Sequence, residues 1–193
     1  MTNKQDWNKA QAKSKDSVAV ECIEGFYKML KRAGKIVGWE TVKFEENRQS
    51  EILDRQGCDT AVEREPKCFQ YYEEKITFNK EGYFILELKT WQSNWNAKKK
   101  RKEYRKIDGW AVSEYKKTDI LLYYVHGEGI YIFKYPELRA WMQEQVRNGL
   151  KHNHFSPDDK PNENYKVHKD VLLKAVSYSF ISVEDIMGRD YKY

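Results

Sequence analysis

Tyr71-Tyr72-Glu73-Glu74-Lys75-Ile76-Thr77-Phe78, then Asn79-Lys80-Glu81-Gly82, then Tyr83-Phe84-Ile85-Leu86-Glu87-Leu88-Lys89-Thr90 is the stretch on which the fold class turns. Both outer runs carry aromatic and β-branched residues that suit extended chain. The polar linker between them closes on glycine, which predicts a hairpin turn. Upstream, Cys58 to Val62 reads as a strand, and Ile36 to Phe44 alternates loosely as another. Downstream, Ile120 to Val125 and Ile130 to Tyr135 are apolar runs. His126-Gly127-Glu128-Gly129 joins them tightly enough for an antiparallel pair.

Helices frame these strands. Ala19, Ile23, Phe26 and Leu30 recur at helical spacing between Ser17 and Arg32. Asp16 or Ser17 can cap the start, and Gly34 can end it. Pro136 suits the opening of a second helix, whose apolar face is Leu138, Trp141, Met142 and Val146. Residues 150–166 read as a polar, turn-rich segment, followed by a short helix near 168–175 and a strand from Tyr178 to Val183. This order predicts an α/β (α+β) protein with a central mixed β-sheet flanked by helices. The domain reading is a polar arm over residues 1–16, then one domain over 17–193 with a C-terminal helix-strand extension.

Composition narrows the class. The chain has 193 residues, enough for a real core without disulfide or metal staples. Its 6 Trp, 14 Tyr and 8 Phe argue against a disordered chain. Apolar runs stay well short of the roughly 20 residues a spanning helix needs. Cys22, Cys58 and Cys68 form no CxxC pair, which fits small buried residues in a reducing, cytoplasmic setting. There is no Walker glycine loop, Rossmann fingerprint or Gly-x-Ser-x-Gly elbow. His152-Asn153-His154, with Asp158 and Asp159, lacks ligand spacing and reads as a polar surface loop.

Chemistry concentrates in Tyr83 to Thr90. There Phe84, Leu86 and Leu88 share one face, while Glu87 and Lys89 project together from the other. Upstream, Gly57-Cys58-Asp59 places an aspartate after a glycine at a strand entrance. An Asp and a Glu from adjacent strands make a hard-oxygen pocket suited to Mg²⁺ or Mn²⁺. A neighbouring Lys can orient a water or offset phosphate charge.

At Gly57-x-Asp59 and Glu87-Leu88-Lys89 the chain resembles the PD-(D/E)xK nuclease superfamily, in its resolvase-like and restriction-endonuclease-like forms. The resemblance spans roughly residues 18 to 145. It implies a restriction-endonuclease-like core, one or two Mg²⁺ ions, and DNA cleavage that leaves a 5′-phosphate. Asp59 and Glu87 would hold the metal, and Lys89 would sit beside the attacking water. An acidic residue of the first helix, Glu24 or Glu21, would join them, and Glu24 is preferred because it borders the apolar stripe. Gln92 is a candidate contact to the metal-bound water or the DNA backbone. Asp54 competes with Asp59 if the strand begins earlier, and Cys58 stands where a proline precedes the family aspartate.

Lys98-Lys99-Lys100-Arg101-Lys102-Glu103-Tyr104-Arg105-Lys106 packs seven cations against one carboxylate, more than the whole chain's surplus of +5. It reads as a basic loop that neutralises phosphates, with Lys98, Lys99, Lys100, Arg101, Lys102, Arg105 and Lys106 as nucleic-acid contacts. Trp91, Trp95 and Tyr104 flank it and suit stacking on bases. The functional expectation is a Mg²⁺-dependent deoxyribonuclease with DNA as partner, no membrane, and a homodimer as one arrangement for cutting two strands. The alternative is a non-catalytic nucleic-acid-binding or anti-defence protein using the basic segment alone.

Overall fold

The computed structural model describes residues 17–42, 53, 56–78, 82–96, 99–150 and 163–188. The side chains at 17, 91–96, 101, 102 and 104 are left aside. These residues form a mixed α/β protein with a six-stranded sheet, a three-stranded sheet and four helices. Among them, no helix is long and apolar enough to cross a membrane. The chain packs as two compact units: residues 1–81, 115–137 and 177–193 in the first, residues 82–114 and 138–176 in the second.

In the first unit, helix α1 (Ser17–Arg32) buries Ala19, Cys22, Ile23, Phe26 and Tyr27. Those positions recur at i, i+3, i+4, i+7 and i+8, one stripe of a 3.6-residue helix. The helix stops where Gly34 takes φ +66. The Lys35 amide then donates to Leu30 O (2.9 Å) and the Gly34 amide to Lys31 O (3.0 Å), so two terminal carbonyls are satisfied.

The sheet of this unit runs β1 (Gly38–Thr41), β2 (Thr60–Glu65), β3 (Cys68–Thr77), β6 (Ile120–Val125), β7 (Gly129–Lys134), β9 (Tyr178–Ser182). Neighbours are antiparallel except β3 and β6, which are parallel with Tyr72 opposite Ile120 and Ile76 opposite Tyr124. Strand β6 is Ile-Leu-Leu-Tyr-Tyr-Val, buried from its second residue onward. A strand buried on both faces carries no polar alternation and needs two neighbours. One sheet face packs on α1: Val62, Tyr72, Leu122, Tyr124 and Ile130 share a core with Phe26 and Tyr27. Helix α4 (Val183–Met187) follows β9 and adds Val183, Ile186 and Met187 to that core.

In the second unit, β4 (Tyr83–Asn96) lies between β5 (Arg101–Asp108) and β8 (Glu163–His168), antiparallel to both. Phe84, Leu86 and Leu88 of β4 are buried, as are Val167 and Leu172. Helix α2 (Tyr135–Arg147) starts in the first unit and contributes Leu138 and Met142 to the second. Helix α3 (Lys169–Ala175) starts behind His168, whose ring nitrogen accepts the Asp170 amide.

Three expectations are corrected here. Tyr71–Phe78 and Tyr83–Thr90 do not pair as a hairpin, because β3 gives its two edges to β2 and β6 and β4 gives its own to β5 and β8. A parallel β3–β6 pair requires a crossover, and the chain between Thr77 and Ile120 supplies it. The basic segment is a strand from Arg101 onward, since its backbone satisfies that of β4 from Lys89 to Asn96. The polar stretch near 163 ends in strand β8 for the same reason, pairing with the other edge of β4.

Candidate functional site

Asp59 lies immediately before β2, where the chain enters the sheet beside β3. Its amide donates to Tyr72 O (2.9 Å), and its Oδ2 accepts the Glu74 amide (2.7 Å). These two bonds bracket Glu73 in sequence. Along β3 side chains alternate, so Glu73 and Lys75 share one face while Tyr72, Glu74 and Ile76 share the other. The second face is the one that packs on α1, so Glu73 and Lys75 point away from the hydrophobic core.

Glu73 is only 1% exposed and is ion-paired. Its Oε1 lies 2.6 Å from Lys75 Nζ and 3.8 Å from Lys116 Nζ, and its Oε2 accepts from Thr118 Oγ1 at 3.5 Å. Thr118 Oγ1 also donates to Gly57 O (2.6 Å). Gly57 takes φ +76, and a Cβ there would overlap Lys116 and come within 2.7 Å of Glu73 Oε2. The backbone conformation favours glycine at this position, and a side chain there would displace the Lys116 and Glu73 side-chain ends.

The electrostatics follow from burial. Desolvation pushes the Asp59 carboxyl above its ordinary value of 3.8, and Lys75 and the Glu74 amide offset part of that rise while Glu73 adds to it. Burial also raises Glu74, whose Oε1 accepts from Tyr27 and Thr60 hydroxyls at 2.7 Å each. Cys58, next to Asp59, is buried and its thiol is pushed up to about 12 by desolvation. It is a packing residue rather than a nucleophile.

The other sequence candidates lie on different elements. Glu87 and Lys89 belong to the second unit and Asp59 to the first. Lys89 forms an ion pair with Asp108, its cross-strand register partner on β5. The Glu87 carbonyl accepts the Ala111 amide (3.0 Å) where the chain leaves β5. Glu24 does not turn inward: it is exposed and lies 3.4 Å from Lys28 one helical turn on. Glu21 is exposed as well. The α1 side chain that reaches the polar residues of β3 is Tyr27, on the core side. Gln92 stands opposite Arg105 in register, with its side chain outside the described residues. Asp54, Lys98 and the His152–Asp159 segment also lie outside them, as do the side chains of Trp91, Trp95, Arg101, Lys102 and Tyr104.

Within the basic hairpin, Lys99 pairs with Glu103 (2.8 Å) and Lys106 with Glu163. Lys100 sits at the turn with φ +48, and Lys100 and Arg105 are exposed. The positive run is thus partly neutralised inside its own sheet.

Among the described residues, no group of three or more His, Cys, Asp or Glu side chains forms a ready ligand set. Mg²⁺ does not need one, since it keeps several waters and takes one or two carboxylates plus substrate phosphate. Asp59 and Glu73 offer hard-oxygen donors of the type Mg²⁺ takes. Glu73 and Lys75 carry the Glu-x-Lys spacing, and the readable signal is their place 14 and 16 residues after Asp59 on an alternating strand. Comparison of the chain with protein-family models, with curated proteins and with solved structures found no match.

Proposed function

We propose that this chain is a Mg²⁺- or Mn²⁺-dependent endonuclease that hydrolyses DNA phosphodiester bonds on a restriction-endonuclease-like core. The observation that carries the reading is the Glu73–Lys75 ion pair on β3 with Asp59 anchored to the backbone on either side of Glu73. Gly57-x-Asp59 followed by Glu73-x-Lys75 has the Gly-x-Asp … Glu-x-Lys form of the PD-(D/E)xK motif, with Glu73 and Lys75 in place of Glu87 and Lys89. The neighbouring strands β1, β2, β3 and β6, mixed in direction and covered by α1, support the same reading.

Asp59 and Glu73 would hold the ion, and the bound ion would polarise the scissile phosphate and acidify a water. Lys75, whose ammonium lies 2.6 Å from Glu73 Oε1, would orient that water. Gly57 leaves room for the Lys116 side chain beside Glu73. In the second unit, the β4–β5 hairpin offers exposed cations for sequence-independent grip on phosphates.

Incubation with plasmid, linear and branched DNA in Mg²⁺ or Mn²⁺ tests this. Asp59→Ala, Glu73→Ala and Lys75→Ala should each reduce cutting by at least roughly 100-fold, while Glu87→Ala and Lys89→Ala should cut. Metal-dependent cutting that survives both Asp59→Ala and Glu73→Ala would exclude the site. Loss in Glu87→Ala alone would return the motif to β4. Salt-sensitive DNA binding with no cutting under any divalent ion would favour the non-catalytic alternative.

A further inference from the structure

Lys116 has no place in the Asp-Glu-Lys motif, yet the fold delivers it to the same carboxylate. Its Nζ lies 3.8 Å from Glu73 Oε1, the oxygen that also holds Lys75, and its side chain is 19% exposed. The segment that carries it is pinned at successive residues. The Lys117 amide donates to Gln56 O (3.0 Å), Thr118 Oγ1 donates to Gly57 O (2.6 Å), and Asp119 exchanges bonds with Tyr71 through its amide and its Oδ2, both at 2.8 Å. Lys116 therefore lies over the one residue in its path that lacks a Cβ. Four bonds on the three residues that follow it place an ammonium beside a nearly buried glutamate, where desolvation makes its charge count more than on the surface.

We propose that Lys116 is a second catalytic lysine of this site, contacting a non-bridging oxygen of the scissile phosphate. The inference rests on the nuclease reading of Asp59, Glu73 and Lys75. In the reaction, a water oxygen forms the bond to phosphorus and the bond from phosphorus to the 3′-oxygen breaks. One proton of that water ends on the departing 3′-oxygen, and the other stays on the new 5′-phosphate. Lys116 gives up no proton. Its ammonium offsets the negative charge that grows on the phosphoryl oxygens as the fifth oxygen arrives, a role that matters only in the transition state.

This role has a signature that a structural role lacks. Removing a cation from Glu73 leaves the carboxylate more available to a metal, so ion binding and catalysis should move in opposite directions. Lys116→Ala and the length-preserving Lys116→Gln are compared with wild type in single-turnover cleavage at saturating Mg²⁺ and in calorimetric titration with Mn²⁺ alone. The expected result is cleavage lower by on the order of 100-fold, Mn²⁺ affinity equal to or a few-fold above wild type, and partial recovery of cleavage in Lys116→Arg. Cleavage within about threefold of wild type in folded Lys116→Gln would overturn the proposal. So would a deficit that excess metal abolishes, since Lys116 would then act only by holding Glu73. If wild type neither binds Mn²⁺ nor cuts DNA, the nuclease reading itself falls. If wild type cuts and Asp59→Ala does not, while Lys116→Gln cuts normally, the assignment of Lys116 alone is wrong.

Discussion

Glu74 sits between the two polar residues that face the site and points the opposite way, into the layer beneath α1. Its Oε1 accepts two hydroxyls, from Tyr27 and Thr60, and its own amide holds Asp59 Oδ2. One residue thus links the helix, the start of β2 and the carboxylate proposed for metal binding. Burial raises the Tyr27 hydroxyl well above the ordinary phenol range, so it stays a donor. Tyr27→Phe removes that donor but keeps the ring, which stacks on Trp39 at 5.5 Å between centroids. A stability loss of about 1–2 kcal/mol is expected, read as a lower urea midpoint at unchanged slope. An unchanged midpoint would show that Thr60 alone satisfies Glu74.

At the scale of elements, the β4–β5 hairpin shows how a charge run becomes a strand. Seven cations in nine residues suggest a solvated loop, yet the backbone of β5 finds all its partners on β4. Charged side chains on an edge strand also discourage pairing with other chains. Lys99 and Lys106 are engaged by Glu103 and Glu163, and Lys100 and Arg105 are two exposed cations to test. Lys100→Ala with Arg105→Ala should weaken DNA binding uniformly across sequences. It should lower the slope of log affinity against log salt by roughly 1–2, close to 0.9 per phosphate contact. An unchanged slope in a salt titration would remove these two from the interface.

At the scale of the whole molecule, stability depends on pH through two raised carboxyls. Asp59 and Glu74 have folded values above their ordinary 3.8 and 4.5, both chiefly from burial. Between the ordinary and the raised values the folded chain binds more protons than the unfolded chain, so stability falls as pH rises through that window. In chelator, thermal melts should therefore show a loss from about pH 4 upward that Asp59→Asn reduces. Lys75 and Lys116 oppose the rise and Glu73 reinforces it, so the comparison with Asp59→Asn isolates one group. Added Mg²⁺ should stabilise most at the upper end of the range, where the carboxylates are ionised. Equal melting shifts at both ends would count against Asp59 as a ligand.

Helix α1 and the β6–β7 hairpin were legible because each depends on local pattern. An apolar stripe at 3.6-residue spacing ends at a glycine in one, and two apolar runs flank a tight turn in the other. The position of Asp59 at a strand entrance was legible too, since a glycine shortly before a β-branched run is a short-range signal. Glu73 and Lys75 were not, because residues 71–78 carry polar side chains on both faces and read alone as an exposed strand. What buries Glu73 is its position between β2 and the parallel strand β6, the latter reached only after a crossover of more than forty residues. Lys116 and Gly57 meet by the same long-range closure. By itself the sequence determined the helices, the apolar strands, the mixed α/β class and the sign of local charge, because those follow from side-chain period and composition. Tertiary structure decided that β3 lies between β2 and β6, beside Asp59, because strand order depends on burying both faces of β6, and no local pattern encodes a partner that far along the chain.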